Sequence, residues 1–277
     1  MTDTPQLPLV IEPQTLLDLQ GDHSIRIIDL SSQQQYAQAH IPGALFLDYA
    51  QLVSSQPPFN GLLPDSEQFS RTLGSLGIGP QTHVLAYDEE GGGKAARLIW
   101  TLHAMGHQRA SLLNGGLIAW YRENHPLSNE AVEPAGDLHS PPYRVDFNRQ
   151  PVVADTEYIL AHLDNPRTAL LDARSPEEYL GQTRYAQRSG RIPGAQHFEW
   201  TRGMNPAANY RLQEKDKLLE ELAALGLGPD REIIVYCQSH HRSALSYLML
   251  KYLGYERVRG YPGSWSVWGN RMDTPID

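Results

Sequence analysis

The chain holds one cysteine, Cys237, among 277 residues. A single thiol cannot close an internal disulfide, and it cannot build a cysteine-based zinc site or iron–sulfur cluster. That scarcity points to a reducing compartment, and a cytoplasmic location is expected. Basic residues are also few: Lys plus Arg number 23 against 32 for Asp plus Glu, a formal net charge of -9. Such a balance argues against nucleic acid as a partner, although a local basic pocket for a small anion remains compatible with it. Long hydrophobic runs are missing as well. Leu245 to Leu250 falls far short of the ~20 apolar residues that a membrane helix requires. The opening MTDTPQLPLVIEPQTLL lacks the basic-then-apolar pattern of a signal peptide, so no membrane partner is expected. What is present is ordinary for a folded protein, with 40% hydrophobic and 20% charged residues. At roughly 150 residues per domain, the length accommodates two cores.

The chain repeats itself once. Ile25 to Asp29 aligns with Ala169 to Asp172, and Gln35-Tyr36 with Glu178-Tyr179. His40-Ile-Pro-Gly-Ala44 then matches Arg191-Ile-Pro-Gly-Ala195, and Leu76-Gly-Ile-Gly-Pro80 matches Leu225-Gly-Leu-Gly-Pro229. His83 to Tyr87 pairs with Ile233 to Tyr236, a pattern ending at Gly106 with one ending at Gly254, and Asn114 to Trp120 with Pro262 to Trp268. These blocks keep their order, and the period is too long for a solenoid, so the pattern is a domain duplication. The segment 126–151 carries Pro126, Pro134, Pro141, Pro142 and Pro151 with little apolar periodicity and reads as a linker between a domain at 1–125 and one at 152–277.

Within each half, short apolar runs alternate with helical patterns. Glu214 to Leu225 places Leu218, Leu222 and Leu225 on one helical face before Gly226, and Ser243 to Tyr252 predicts a buried helix that stops at Gly254. This alternation predicts an α/β fold in each half: an open, mostly parallel sheet with helices on both faces and the ligand site beyond the carboxyl ends of the strands.

Cys237 directly follows the run Ile233 to Tyr236 and precedes Gln-Ser-His-His-Arg242-Ser243 and the second helix. It therefore stands where a strand gives way to a helix N-terminus, with unpaired amides, the positive end of a helix dipole, Arg242 nearby and Ser243 as the expected N-cap. Each of these favours thiolate, so the Cys237 pKa is expected to fall, giving a nucleophile aimed at an anionic substrate. The loop amides and side chains of Gln238, Ser239, His240, His241, Arg242 and Ser243 are the expected binding groups for the anion.

The duplication, the paired Ile-Pro-Gly-Ala motifs and the Cys-x4-Arg-Ser loop together resemble the two-domain rhodaneses, the thiosulfate and 3-mercaptopyruvate sulfurtransferases, over nearly the whole chain. The resemblance implies two tandem rhodanese-like domains. It also implies a sulfurtransferase in which Cys237 takes a sulfane sulfur from a small anionic donor, becomes a persulfide, and passes the sulfur to cyanide, a thiol or a protein acceptor. The thiosulfate:cyanide type is favoured. No cofactor and no metal are implied, and a monomer is expected. Related folds with a Cys-x5-Arg loop resemble phosphatases and arsenate reductases, whose wider ring holds a tetrahedral anion. The four-residue spacing here suits a single sulfur better. A non-enzymatic persulfide-delivery protein is the other alternative.

In the first half Asp88 takes the place of Cys237 and is followed by Glu-Glu-Gly-Gly-Gly-Lys94, which would repel an anionic donor; that half is expected to be catalytically inactive. Ala95 after Gly-Lys breaks the phosphate-loop pattern. Arg174, after the strand ending at Asp172, is a further candidate for binding the donor's sulfonate or carboxylate, with a salt bridge to Glu177 or Glu178 as its other role. Glu178 stands where many two-domain members carry a second arginine; Arg184, Arg188 and Arg191 are candidates to compensate. Asp29 and Asp172 are expected to hold backbone, and Trp200, Trp265 and Trp268 to pack.

Overall fold

The computed structural model describes residues 7–133, 143–147 and 151–277. Of the expected linker, 134–142 and 148–150 lie outside the described residues. In chain order the strands are β1 (Val10–Ile11), β2 (Ile25–Asp29), β3 (Leu45–Phe46), β4 (Ser54–Gln56), β5 (Phe59–Leu62), β6 (His83–Tyr87) and β7 (Ala110–Leu113). They continue as β8 (Thr168–Asp172), β9 (Gln196–His197), β10 (Met204–Asn205), β11 (Arg211–Leu212), β12 (Glu232–Tyr236) and β13 (Val258–Gly260).

The chain forms two compact units, and neither is an uninterrupted stretch. The first comprises Met1–Leu52, Pro64–Arg149 and Pro206–Arg211; the second comprises Val53–Leu63, Gln150–Asn205 and Leu212–Asp277. The first carries a sheet in the order β1-β7-β6-β2-β3, parallel throughout. The second carries β13-β12-β8-β9, also parallel. Val153 bridges Gly260 in parallel, as β1 pairs with β7 in the first unit. The central strands β6 and β12 are buried along almost their whole length. That is why they read as nearly continuous apolar runs: helices cover both faces of a parallel sheet, and little of these strands faces water. The core of the second unit gathers Ile192, Leu170, Ile234, Tyr236, Trp265 and Trp268; Leu85, Tyr87, Leu113 and Trp120 do the same in the first.

The repeated motifs have one structural cause. In each Ile-Pro-Gly-Ala, the alanine N–H donates to the isoleucine carbonyl, at 3.0 Å for Ala44 and 3.1 Å for Ala195. The glycine lies at φ +81° (Gly43) or +74° (Gly194). This is a type II turn, which takes proline second and needs glycine third. The isoleucine N–H is then fastened to the central strand. Ile41 donates to the Tyr87 hydroxyl at 3.0 Å, and that hydroxyl donates to Asp29 at 2.5 Å. Ile192 donates to the Tyr236 hydroxyl at 3.2 Å, and Tyr236 bonds Asp172. Burial and the adjacent aspartate push both phenols far above their ordinary pKa, so they stay donors. Asp29 and Asp172 also accept the N–H groups of Ser31 and Arg174, which is the backbone-holding role expected of them.

Candidate functional site

Tyr236 ends β12, and the chain turns at Cys237 toward the helix Arg242–Tyr252. Trp265 N–H donates to the Cys237 carbonyl at 2.9 Å and Ser266 N–H to the Gln238 carbonyl at 2.8 Å, pinning the start of the loop. Ser264 accepts the Cys237 N–H on its hydroxyl at 3.2 Å and donates to the Tyr261 carbonyl. To do so it sits at φ +49°, a region that side chains other than Gly and Asn seldom enter.

The β4–β5 hairpin buttresses the loop from the other side. Asn60 N–H donates to the Ser266 hydroxyl at 2.6 Å. At Gly61, φ +73°, a Cβ would stand 2.3 Å from the Ser239 carbonyl oxygen, so only glycine permits this approach. The hairpin comes from the first half of the sequence and belongs to the second unit.

Cys237 is 1% exposed. Burial opposes its ionisation, yet the thiol is lowered below its ordinary pKa. The Arg242 charge, the Ser243 hydroxyl, and the amides of Ser243 and Ser239 together outweigh the desolvation. The sulfur therefore faces a cluster of donors rather than an aliphatic wall.

The neighbouring residues divide by burial. His240 and Ser243 are buried, with His240 Nδ1 2.7 Å from Ser243 Oγ. Gln238, Ser239, His241 and Arg242 are half-buried. Gln238 donates to the Tyr185 carbonyl, and His241 lies near Trp200, with ring centroids 6.1 Å apart. Ser243 is not the N-cap: the helix starts one residue earlier, at Arg242, with His241 as cap and no side-chain cap bond. The Ser243 hydroxyl serves the sulfur and His240 instead.

Arg242 makes a bidentate pair with Glu178, at 2.5 and 2.9 Å. Glu178 is 4% exposed and closes the capping box of the helix Pro176–Tyr179 with Ser175. Burial works against its ionisation, but Arg242 prevails and holds the carboxyl below the usual range. The residue that sequence comparison marks as a departure is thus the counter-ion of the loop arginine.

Arg174 is placed inside the unit rather than toward a donor. It is 1% exposed, its guanidinium holds both Asp172 oxygens and the Gly190 carbonyl, and it stacks on Trp265 at 4.5 Å. The salt bridge expected as its other role exists, but to Asp172 rather than to Glu177 or Glu178. Of the arginines offered as compensation, Arg188 is committed to the carbonyls of Thr274 and Trp268, and Arg191 lies over the Tyr179 ring. Ser264 and the hairpin around Gly61 were not singled out from the sequence. Ser264 could have been found from its repeat partner Gly116, which also has a positive φ. The hairpin leaves no local signal, because its partner is some 180 residues away in sequence.

Comparison with known proteins places this geometry in context. The rhodanese-like domain pattern matches residues 12–123 and 155–271. A thiosulfate sulfurtransferase of Azotobacter vinelandii is 45% identical over 277 residues, 100% of both chains. A 3-mercaptopyruvate sulfurtransferase of Escherichia coli strain K12 is 33% identical over 90% of this chain and 87% of its own. Among solved structures, an EanB complex with ergothioneine superposes with a TM-score of 0.86 over 97% of this chain and 70% of that one; at 21% identity the likeness is one of fold.

Proposed function

The chain belongs to the rhodanese-like family through both of its halves, and from that premise we propose that it is a thiosulfate:cyanide-type sulfurtransferase with Cys237 as its persulfide carrier. The observation that carries the reading is the donor cluster at Cys237, where a buried sulfur is held toward thiolate by Arg242, Ser243 and the Ser239 amide. The Cys237 thiolate attacks the outer sulfur of thiosulfate. A new S–S bond forms, the bond to the sulfonate sulfur breaks, and sulfite leaves with the electron pair. Cyanide then attacks the outer sulfur of the persulfide anion, thiocyanate departs, and the thiolate returns. The negative charge moves from Cys237 Sγ in the thiolate to the outer sulfur of the persulfide, about 2 Å away, so the loop's donors serve both positions in this reading. Two displacements at one thiol give ping-pong kinetics.

Thiosulfate is favoured over 3-mercaptopyruvate because a relative named for the former shares 45% identity and one named for the latter 33%. Gln238, Ser239, His241 and Arg242, half-buried, are the loop residues that meet the donor in this reading, while the buried His240 and Ser243 act on the sulfur. The phosphatase reading loses support, since four residues rather than five separate the loop arginine from the thiol. The first unit, with Asp88 in the thiol's place, is catalytically silent in this reading. Cytoplasmic location, a monomeric state, and a thiol or protein as physiological acceptor belong to the same proposal; among the described residues, no helix is long and apolar enough to cross a membrane.

Intact mass tests the proposal. Incubation with thiosulfate should add one sulfur atom, cyanide should remove it, and Cys237→Ala should stay unchanged throughout. A wild-type mass that never moves, with thiosulfate or 3-mercaptopyruvate, overturns it.

A further inference from the structure

Ser243 Oγ has one hydrogen to give and can accept two. Two neighbours compete for that hydrogen: the Cys237 sulfur, which the hydroxyl bonds, and His240 Nδ1, 2.7 Å away. If Nδ1 is bare, the hydroxyl turns to it and the sulfur loses a donor. If Nδ1 carries a hydrogen, the imidazole donates to Oγ and the hydroxyl hydrogen is left for sulfur. An anionic sulfur can use only the second arrangement.

We propose that His240 is a positioning residue: a hydrogen on its Nδ1 fixes the Ser243 hydroxyl as a donor to the Cys237 thiolate. The backbone supports the assignment. His240 lies at φ +56°, where glycine and asparagine are the easier residues, and it is fully buried. The loop reaches this conformation with an imidazole whose one described contact to a side-chain hydroxyl leads straight to the reactive sulfur. Arg242, paired with Glu178, acts on the same sulfur through its charge, so the two influences are separable.

The inference rests on the persulfide reading for its purpose, but its test needs no sulfur transfer. The thiol pKa is read from the pH dependence of Cys237 alkylation by iodoacetamide. His240→Gly, which suits the backbone and removes the ring, should raise the pKa by about one unit, a tenfold loss of thiolate at a fixed pH below the wild-type pKa. Ser243→Ala should do the same, and the double variant should be no worse than Ser243→Ala alone. His240→Asn should restore most of the loss, because asparagine tolerates the positive φ and can place an amide N–H where Nδ1 stood. A wild-type thiol pKa in His240→Gly, or effects that add in the double variant, would overturn the proposal. Imidazole ¹⁵N NMR of the wild-type protein gives a reading that no folding defect can blur: a protonated Nδ1 on His240 supports the assignment, and a bare one ends it. If the intact-mass experiment fails while the alkylation shifts hold, the sulfurtransferase reading falls and this one stands.

Discussion

The same loop occurs twice in this molecule, and the two copies solve one electrostatic problem in opposite ways. In the second unit the amides after β12 converge on a sulfur atom. In the first, the amides after β6 converge on the carboxylate of Asp88: Glu90 and Gly92 N–H donate to Oδ1 at 2.9 and 2.8 Å, and Ala95 N–H to Oδ2 at 3.0 Å. Even the clamp is shared, since Leu117 N–H donates to the Asp88 carbonyl at 2.9 Å just as Trp265 N–H does to that of Cys237. The basic residue after each loop is paired as well, Lys94 with Glu89 at 2.9 Å and Arg242 with Glu178. A strand followed by a helix N-terminus makes a nest for negative charge whatever else it does. One nest is filled from within by a fixed anion. The other is left to a sulfur that can gain and lose an atom.

The largest effect should come from making the second loop imitate the first. Cys237→Asp should abolish sulfur loading, seen by intact mass, while the folded protein survives, since an aspartate can take the Ser239 and Ser243 amides as Asp88 takes those of Glu90 and Ala95. A thermal midpoint far below wild type would break the comparison.

Next is the loop cation. Arg242→Ala should cut kcat/KM for thiosulfate about a hundredfold and raise the thiol pKa, because it removes the cation that lowers it and leaves the Glu178 carboxylate buried without its counter-ion. Adding Glu178→Gln to that variant should recover about tenfold, at 1.4 kcal/mol per decade. No recovery would mean that Glu178 has no electrostatic hold on the site.

Emptying the first nest should cost stability rather than chemistry. Asp88→Ala strands three amides, at about 1–3 kcal/mol for each buried group left unsatisfied, so a loss of about 3–9 kcal/mol is expected from urea unfolding.

The smallest effect is a pH slope. Burial, with Glu90 close by, pushes Asp88 up to about 6 against the amides that pull it down. A carboxyl raised on folding binds its proton more tightly in the folded state. Its contribution to stability is thus fully present below about pH 4 and lost as pH rises through about 6. Relative to Asp88→Asn, the wild-type protein should lose stability across that window; parallel curves would show that Asp88 is ionised throughout.

Much of this was legible in the residues. The duplication, the buried strands β2, β6, β8 and β12, and the helices at 215–224 and 242–252 follow from apolar periodicity and from Gly and Pro at the stops. The position of Cys237 at a strand-to-helix turn could be read directly. Arg174 could not. Its partner is the nearer carboxylate, Asp172, two residues back, rather than Glu177 or Glu178, and burial against Trp265 selects it. Nor did the sequence separate Glu178 as a counter-ion from Glu178 as a missing arginine, because that depends on a carboxylate reaching a residue 64 positions away.

The residues themselves determined the repeated α/β framework, the type II turns at Ile-Pro-Gly-Ala and the placing of one thiol at a helix N-terminus, since each depends on chain geometry over a few residues. Tertiary structure alone decided which distant groups meet: Arg242 with Glu178, Arg174 with the Gly190 carbonyl and Trp265, and the Gly61 hairpin with Ser239. Long-range pairing is set by how packed layers bring distant segments within a few ångströms, and no local pattern encodes that distance.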